Sequence, residues 1–315
     1  MLQFFNKDKT WYTNIESHSF DSFKYWEVNE VEIQWNPDTY LGKICYVYDQ
    51  QKLVWSGIVE WYYHLKNTNI SKLSLFPLIQ DLRSWFYHDA DNIVTINDDL
   101  ANIVEAIINQ YIADTTNPIL FIREKNLIWT TVTHTFDNQT WLEAYNTVVN
   151  DFIGTGWYVI VDPDGGIRIE NTSTVQELIF WSDIVRLEYE KRIDEVVNYI
   201  VFTNGTTINN TYQNTTSIST YGKRVKYIKD ERFVYSSSAD EYCGTYLDKH
   251  SVPIISVQSI KTKRTDIQLF DKVSISNWEK NFSDQLYVNS ITYLKDGFLE
   301  LDIWTKLSRQ DLLSV

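Results

Sequence analysis

FDNQTWLEAYNTVVNDFIGTGWYVIVDPDGGIRIE, residues 136–170, holds the two periodicities that decide the fold class. Trp141, Leu142, Tyr145, Val148, Val149 and Phe152 recur at helical spacing. That stripe predicts an amphipathic helix over 138–153, with Asp137 or Asn138 as its cap. Gly154 and Gly156 end it. The period then changes. Trp157 to Val161 is a continuous apolar run, and Ile167 and Ile169 alternate with charged residues. Between them Asp162-Pro163-Asp164-Gly165-Gly166 supplies turn residues, so a β-hairpin follows the helix.

Outward toward the N-terminus, INDDLANIVEAIINQYIA predicts a second helix. Leu100, Ile103, Val104, Ile107 and Ile108 form its buried stripe, and Asn97 or Asp98 caps it. Before it, SKLSLFPLIQDLRSWFYH reads as a strand to Phe76, a break at Pro77 and a short helix. LGKICYVYDQQKLVWSGIVEWYYHL predicts a hairpin turning at Asp49-Gln50-Gln51, with Gly57 at a bulge or bend. VNEVEIQW is one more strand, stopped by Asn36-Pro37-Asp38.

Outward toward the C-terminus, a strand is centred on Val196–Phe202. Residues 204–221, NGTTINNTYQNTTSISTY, have no apolar face, which predicts a long protruding loop. SSADEYCGTYLDKH fits a third helix capped by Ser237 or Ser238. The chain ends in strands, with a hairpin turning at Lys295-Asp296-Gly297. This order is α+β, mostly β, rather than an alternating parallel sheet. It suggests a β-barrel-like domain over 1–95 and a middle domain of two helices and a hairpin over 96–185. A second barrel-like domain, with one helix and the Asn/Thr-rich loop, would occupy 186–315.

Composition narrows the function. The chain has 315 residues with 12 Trp, 21 Tyr and 15 Phe, which favours half-buried pleated surfaces and leaves aromatic rings for interfaces. Its net charge of −14 opposes binding to free nucleic acid. The basic run Lys261, Lys263 and Arg264 is short and reads as a solvated strand edge. Cys45 and Cys243, far apart, suggest synthesis in a reducing cytosol. No segment has the length of apolar residues that a membrane span or signal peptide needs.

Catalytic patterns are missing. His18, His64, His88, His134 and His250 are scattered, without a close-spaced metal-binding motif. There is no nucleophile elbow or phosphate loop. Asp162, Asp164 and Gly165 resemble the start of a calcium loop, but Ile167 and Ser173 stand where that loop needs Gly and Glu. Carboxylate pairs are plentiful: Asp89 with Asp91, Asp98 with Asp99, Asp240 with Glu241. Helix-terminal charge explains Asp98 and Asp99. Trp55, Trp61, Tyr62, Tyr63 and Trp85 are open to two readings, a sugar-binding face or core and subunit-interface residues. The sequence singles out no catalytic, cofactor-binding or metal-binding residue, and no cofactor is expected.

Three stretches resemble the phage tail-hub family, which includes baseplate hubs of contractile tails and tail-associated proteins of long flexible tails. They are LVWSGIVEWYYHL; the helix and D-x-D-G hairpin of 136–170; and the C-terminal part from LEYEKRIDEVVNYIVF through STYGKR to LYVNSITYLKDGFLELDIW. The last carries the strand motif Val197-Asn198-Tyr199-Ile200-Val201-Phe202. Residues 269–275, LFDKVSI, depart from the family pattern by lacking its Pro and Gly. The resemblance covers nearly the whole chain by order of elements. It implies a homotrimeric hub ring in the virion tail, joining tail tube to distal tip and lining the DNA exit channel. The implied partners are further copies of the chain, tail tube and distal tail proteins, the tape-measure protein, and tail fibre or tip proteins. DNA would be met only in transit. The competing readings are a carbohydrate- or receptor-binding tail protein and a tail-borne cell-wall hydrolase.

Overall fold

The computed structural model describes residues 2–5, 22–24, 29–34, 37–49, 52–66, 68–84, 86–87, 93–154, 157–171, 175–179, 182–264, 266–268, 271–276, 281–294 and 298–304. The first strands are β1 (Leu2–Phe5), β2 (Ser22–Lys24), β3 (Asn29–Gln34), β4 (Ile44–Asp49), β5 (Lys52–His64) and β6 (Ile70–Pro77). Five of them form an antiparallel sheet in the order β1-β4-β5-β6-β3. Period-two alternation turns Val31, Ile33, Cys45, Val47, Val59, Leu73 and Leu75 onto one core. The β4–β5 hairpin closes with Asp49 opposite Lys52, as its turn residues suggested. Gly57 is not at a bulge. The register slips instead at Val54 and at Glu60. Gly57 is required because a Cβ there would collide with the Trp55 ring and the Phe76 carbonyl.

After Pro77 a 3-10 turn spans Leu78–Ser84. The middle of the chain holds β7 (Phe86–Tyr87), β8 (Ile93–Asp99), α1 (Leu100–Asp114), β9 (Phe121–Lys125), β10 (Thr131–Asp137), β11 (Gln139–Thr140), α2 (Trp141–Asn146), β12 (Trp157–Val161) and β13 (Gly166–Asn171). The α1 stripe is buried, as its spacing requires. Its cap is Asp99 rather than Asn97 or Asp98, because pairing with β10 keeps β8 extended through Asp99, its last residue, and the helix starts at Leu100. The second helix likewise starts late. Strand pairing holds 137, 139 and 140, so Thr140 caps α2 in a reciprocal box with Glu143. After Asn146 the helix loosens into a π-helical turn, Thr147–Phe152, which still buries Val148 and Phe152. The β12–β13 hairpin forms as expected, and β9 joins it in parallel.

The remainder comprises β14 (Val175–Ile179), β15 (Ile184–Arg192), β16 (Tyr199–Thr203), β17 (Asn209–Gln213), α3 (Thr215–Tyr221), β18 (Val225–Lys229), α4 (Ser236–His250), β19 (Ile254–Thr262), β20 (Lys272–Ser276), β21 (Asn281–Leu294) and β22 (Leu299–Trp304). A sheet in the order β14-β20-β21-β22-β19-β15 also receives β2, which pairs with β21. The β21–β22 hairpin is present; its turn, 295–297, lies outside the described residues. Helix α4 matches expectation in extent, but Tyr235 sits at its N-cap and no side chain caps it. Ser238 bonds the Thr133 carbonyl instead.

The expectation of a long loop over 204–221 is wrong. The segment contains β17 and α3. Its order comes from asparagine side chains rather than an apolar stripe. The Asn204 Oδ1 accepts from the backbone N–H of Thr206, Thr207 and Ile208 at 2.9–3.0 Å. Asn214 caps α3 through the Ser217 N–H. Asn198, fully buried, donates to the Gly222 carbonyl (2.8 Å) and Ser217 Oγ (3.2 Å) and accepts from the Arg224 N–H (2.7 Å). Polar groups satisfied in this way can be buried without penalty.

The chain is therefore α+β and mostly β, with a few helices of at most 15 residues. Its largest core draws on two separate stretches: 78–169, and the β16–β18 sheet with α4. A second core lies under the seven-stranded sheet and a third under the N-terminal one.

Candidate interface

In the Asp162–Gly166 turn the carboxylates are paired with arginines. Arg123 donates to Asp162 (2.6 Å) and to Asp164. Arg168 reaches Asp162 (3.0 Å) and Glu170 (2.7 Å). Two guanidinium groups thus neutralise the carboxylates a cation would need. No group of three or more metal-ligating side chains occurs among the described residues. Nor is any described helix long and apolar enough to cross a membrane.

The other candidates are dispersed. His64 contacts Ser71 Oγ at 2.7 Å, and His250 stacks on Tyr246. His134 is buried against Phe136, Phe152 and Phe233, and burial pushes its pKa down to about 4. Both cysteines are buried, free thiols. Asp98 is held by the Asn102 amide and the Asp99 N–H, which keep its carboxyl below the usual range. Asp240 accepts from the Tyr212 hydroxyl at 2.6 Å. Arg264 pairs with Asp266, while Lys261 and Lys263 lie over the Phe298 ring. His18, His88, Asp89, Asp91 and Trp85 lie outside the described residues.

The aromatic set divides. Trp55 is core, and Tyr62 donates to Asp38 at 2.6 Å. Trp61 and Tyr63 are exposed, stacked with centroids 5.8 Å apart. Two surface features escaped sequence reasoning. One is β18, at the edge of the β17-β16-β18 sheet, where Val225 and Tyr227 are exposed. The exposed apolar pair alternates with Lys226 and Ile228, a period-two signal legible in VKYIK. The other is Trp129, 83% exposed and at a φ of +62°. No pattern in the sequence marks it.

Trp129 sits on a clamped turn. Asp99, itself buried, accepts from the Ile128 and Thr130 N–H groups at 3.2 Å each and from Ala101 N–H at 2.9 Å. The Leu100 N–H returns to the Thr130 carbonyl. One carboxylate thus caps α1 and fixes the turn that carries the ring.

Known structures share this fold. The 43 kDa tail protein of prophage MuSo2 from Shewanella oneidensis superposes with a TM-score of 0.67 at 12% identity, over 99% of this chain and 98% of that one. Prophage tail protein gp18 from Listeria monocytogenes EGD-e gives 0.63 at 14% identity, over 98% and 95%. The tail protein from Neisseria meningitidis MC58 gives 0.63 at 13%, over 96% and 95%. The chain has the fold of phage tail proteins, as its sequence resemblance implied. No family model and no curated protein sequence matches it.

Proposed function

We propose that this chain is a structural component of a phage tail tip or baseplate, three copies forming a hub ring between tail tube and distal tip. The observation that carries this reading is near-complete coverage in both directions: prophage tail proteins share the fold from end to end, with no large part left over on either side. Further support is chemical. A net charge of −14 on a ring around a DNA channel repels phosphate and reduces sticking. Exposed Trp61, Tyr63, Trp129 and Tyr227 supply the ring types enriched at interfaces. The partners in this reading are tube, distal tail, tape-measure and fibre or tip proteins. Mass measurement of intact tails, with labelled antibody imaging of the same particles, tests it. Three copies at the end of the tube are expected. A single copy, six equivalent copies, or absence from the virion removes the reading.

A second reading, a carbohydrate-binding tail protein, is favoured by the Trp61–Tyr63 stack beside Glu30, Glu32 and Lys72. Binding of purified protein to host surface polysaccharide, lost in a Trp61→Ala, Tyr63→Ala double variant, would select it over the first.

A further inference from the structure

We propose that the open edge of β18 takes up an extended, acidic segment of a partner protein, adding it as one more strand to the β17-β16-β18 sheet. This contact stands with or without the ring. Three observations carry it: a row of backbone groups aimed outward, lysines folded away from that row, and a local cationic charge on an acidic chain.

The direction of the backbone groups is set by β16. The two strands run parallel in unbroken register, from Val225 opposite Tyr199 to Lys229 opposite Thr203. The Arg224 carbonyl accepts from the Tyr199 N–H at 3.1 Å, and the Asp230 N–H donates to the Thr203 carbonyl at 3.0 Å. Even-numbered residues therefore face β16, and Val225, Tyr227 and Lys229 turn their N–H and C=O groups the other way. No described strand lies beyond them.

Proteins guard such an edge with proline, a bulge or lysines standing over it. β18 has no proline and no bulge. Its lysines are engaged elsewhere. Lys223 Nζ lies 3.5 Å from the centroid of the Tyr199 ring, Lys226 donates to the Tyr246 hydroxyl at 2.7 Å, and Lys229 pairs with Glu231 at 2.7 Å. The edge itself shows Val225, 57% exposed, and Tyr227, 64% exposed. The opposite edge, β17, exposes Asn209, Thr211 and Gln213 and has no such apolar row.

Charge selects the strand that fits. Residues 223–232 hold five basic and two acidic residues, in a chain of net charge −14. The two acids are taken: Glu231 by Lys229 and Asp230 by Arg232. Lys223, Arg224 and Lys226 meet a ring, the Tyr221 carbonyl and a hydroxyl, and no carboxylate among the described residues. Arg224 and Lys226 alternate with Val225 and Tyr227, so an added strand meets cations on one face of the sheet and apolar side chains on the other. Its own side chains must then alternate carboxylate with apolar. Outward amides favour a polypeptide over a nucleic acid, because a strand pairs with both N–H and C=O. Strand addition of this kind takes affinity from the main chain and selectivity from alternate side chains.

The test uses the full chain and a fluorescent peptide that alternates valine with glutamate. Anisotropy is expected to show saturable binding that weakens as salt is added. A peptide alternating valine with lysine is expected not to bind. Tyr227→Pro removes the central outward N–H and leaves the ladder to β16 in place, so binding should weaken about tenfold with unchanged circular dichroism. Tyr227→Thr keeps that N–H and should lose less. Arg224→Gln should weaken binding and flatten its salt dependence. In the free chain the N–H groups of Val225, Tyr227 and Lys229 should exchange with solvent faster than those of Lys226 and Ile228, and the peptide should slow them. Absence of saturable binding by the valine–glutamate peptide overturns the contact, as does slow exchange of the three outward groups in the free chain. Equal binding of a peptide with methylated backbone nitrogens rules out strand addition. Displacement of the peptide by tighter-binding single-stranded DNA would make the edge a nucleic-acid site instead. Self-association that Tyr227→Pro abolishes would make the occupant a second copy, and either result discards the acidic partner.

Discussion

At the scale of single residues, strain and burial give separable signals. Trp129→Asn puts a tolerant residue at the left-handed position, so the isolated chain should gain about 0.5–1 kcal/mol in denaturant unfolding while losing its exposed ring. Equal or lower stability would mean the turn is not strained. His134 gives a pH dependence. Burial, and then Arg232, lowers its pKa from 6.5 to about 4, with Asp230 opposing. The folded state thus holds the neutral imidazole where the unfolded chain is already protonated. Stability is unaffected above pH 6.5 and falls as pH drops from 6.5 toward 4, at up to about 1.4 kcal/mol per pH unit. His134→Phe, facing three other aromatic rings, should flatten that limb of the stability profile. An unchanged slope would assign acid sensitivity to other groups. Neither residue was visible as special in the sequence. The neighbours that give them meaning, Asp99 for one and Phe152 and Phe233 for the other, are distant in the chain.

At the scale of elements, periodicity was a good guide and polar chemistry was not. The α1 and α2 stripes and the 157–169 hairpin were legible because burial imposes a fixed spacing. Helix starts were displaced by one to three residues, because strand pairing by β10 and β11 competed for the same backbone. The 204–221 segment was misread for a different reason. Its order depends on amide side chains whose partners, such as Phe233 for Asn204 and Ser251 for Asn214, lie outside it. Asn198→Ala tests that account. It would leave the Gly222 carbonyl and the Arg224 N–H without their side-chain partner, at a cost of about 2–3 kcal/mol. Hydrogen exchange should accelerate across 209–224 before the rest of the chain. Uniform acceleration would instead mean that this network is no separate unit.

At the scale of the whole molecule, the element order and the β-rich class could be read from sequence, and the fold shared with prophage tail proteins agrees with both. Surface features were less accessible, since exposure depends on what other segments leave uncovered. If the chain is structural, purified protein should show no peptidoglycan or polysaccharide hydrolysis above background. A reproducible activity abolished by one Asp→Asn or Glu→Gln change, with the fold intact, would reverse that reading.

The pairing of β2 with β21 ties Ser22–Lys24 to Thr292–Leu294. On the ribosome the first of these emerges long before the second, so the N-terminal sheet and much of the middle core can form while the last sheet still lacks its partners. That sheet is completed only once β21 and β22 have been made. A prematurely terminated chain would keep β2 without its partner strand and expose apolar surface meant for the final core. Synthesis of β21 thereby acts as a check on this sheet: a chain cut short before it leaves the core of that sheet open to solvent and to proteases.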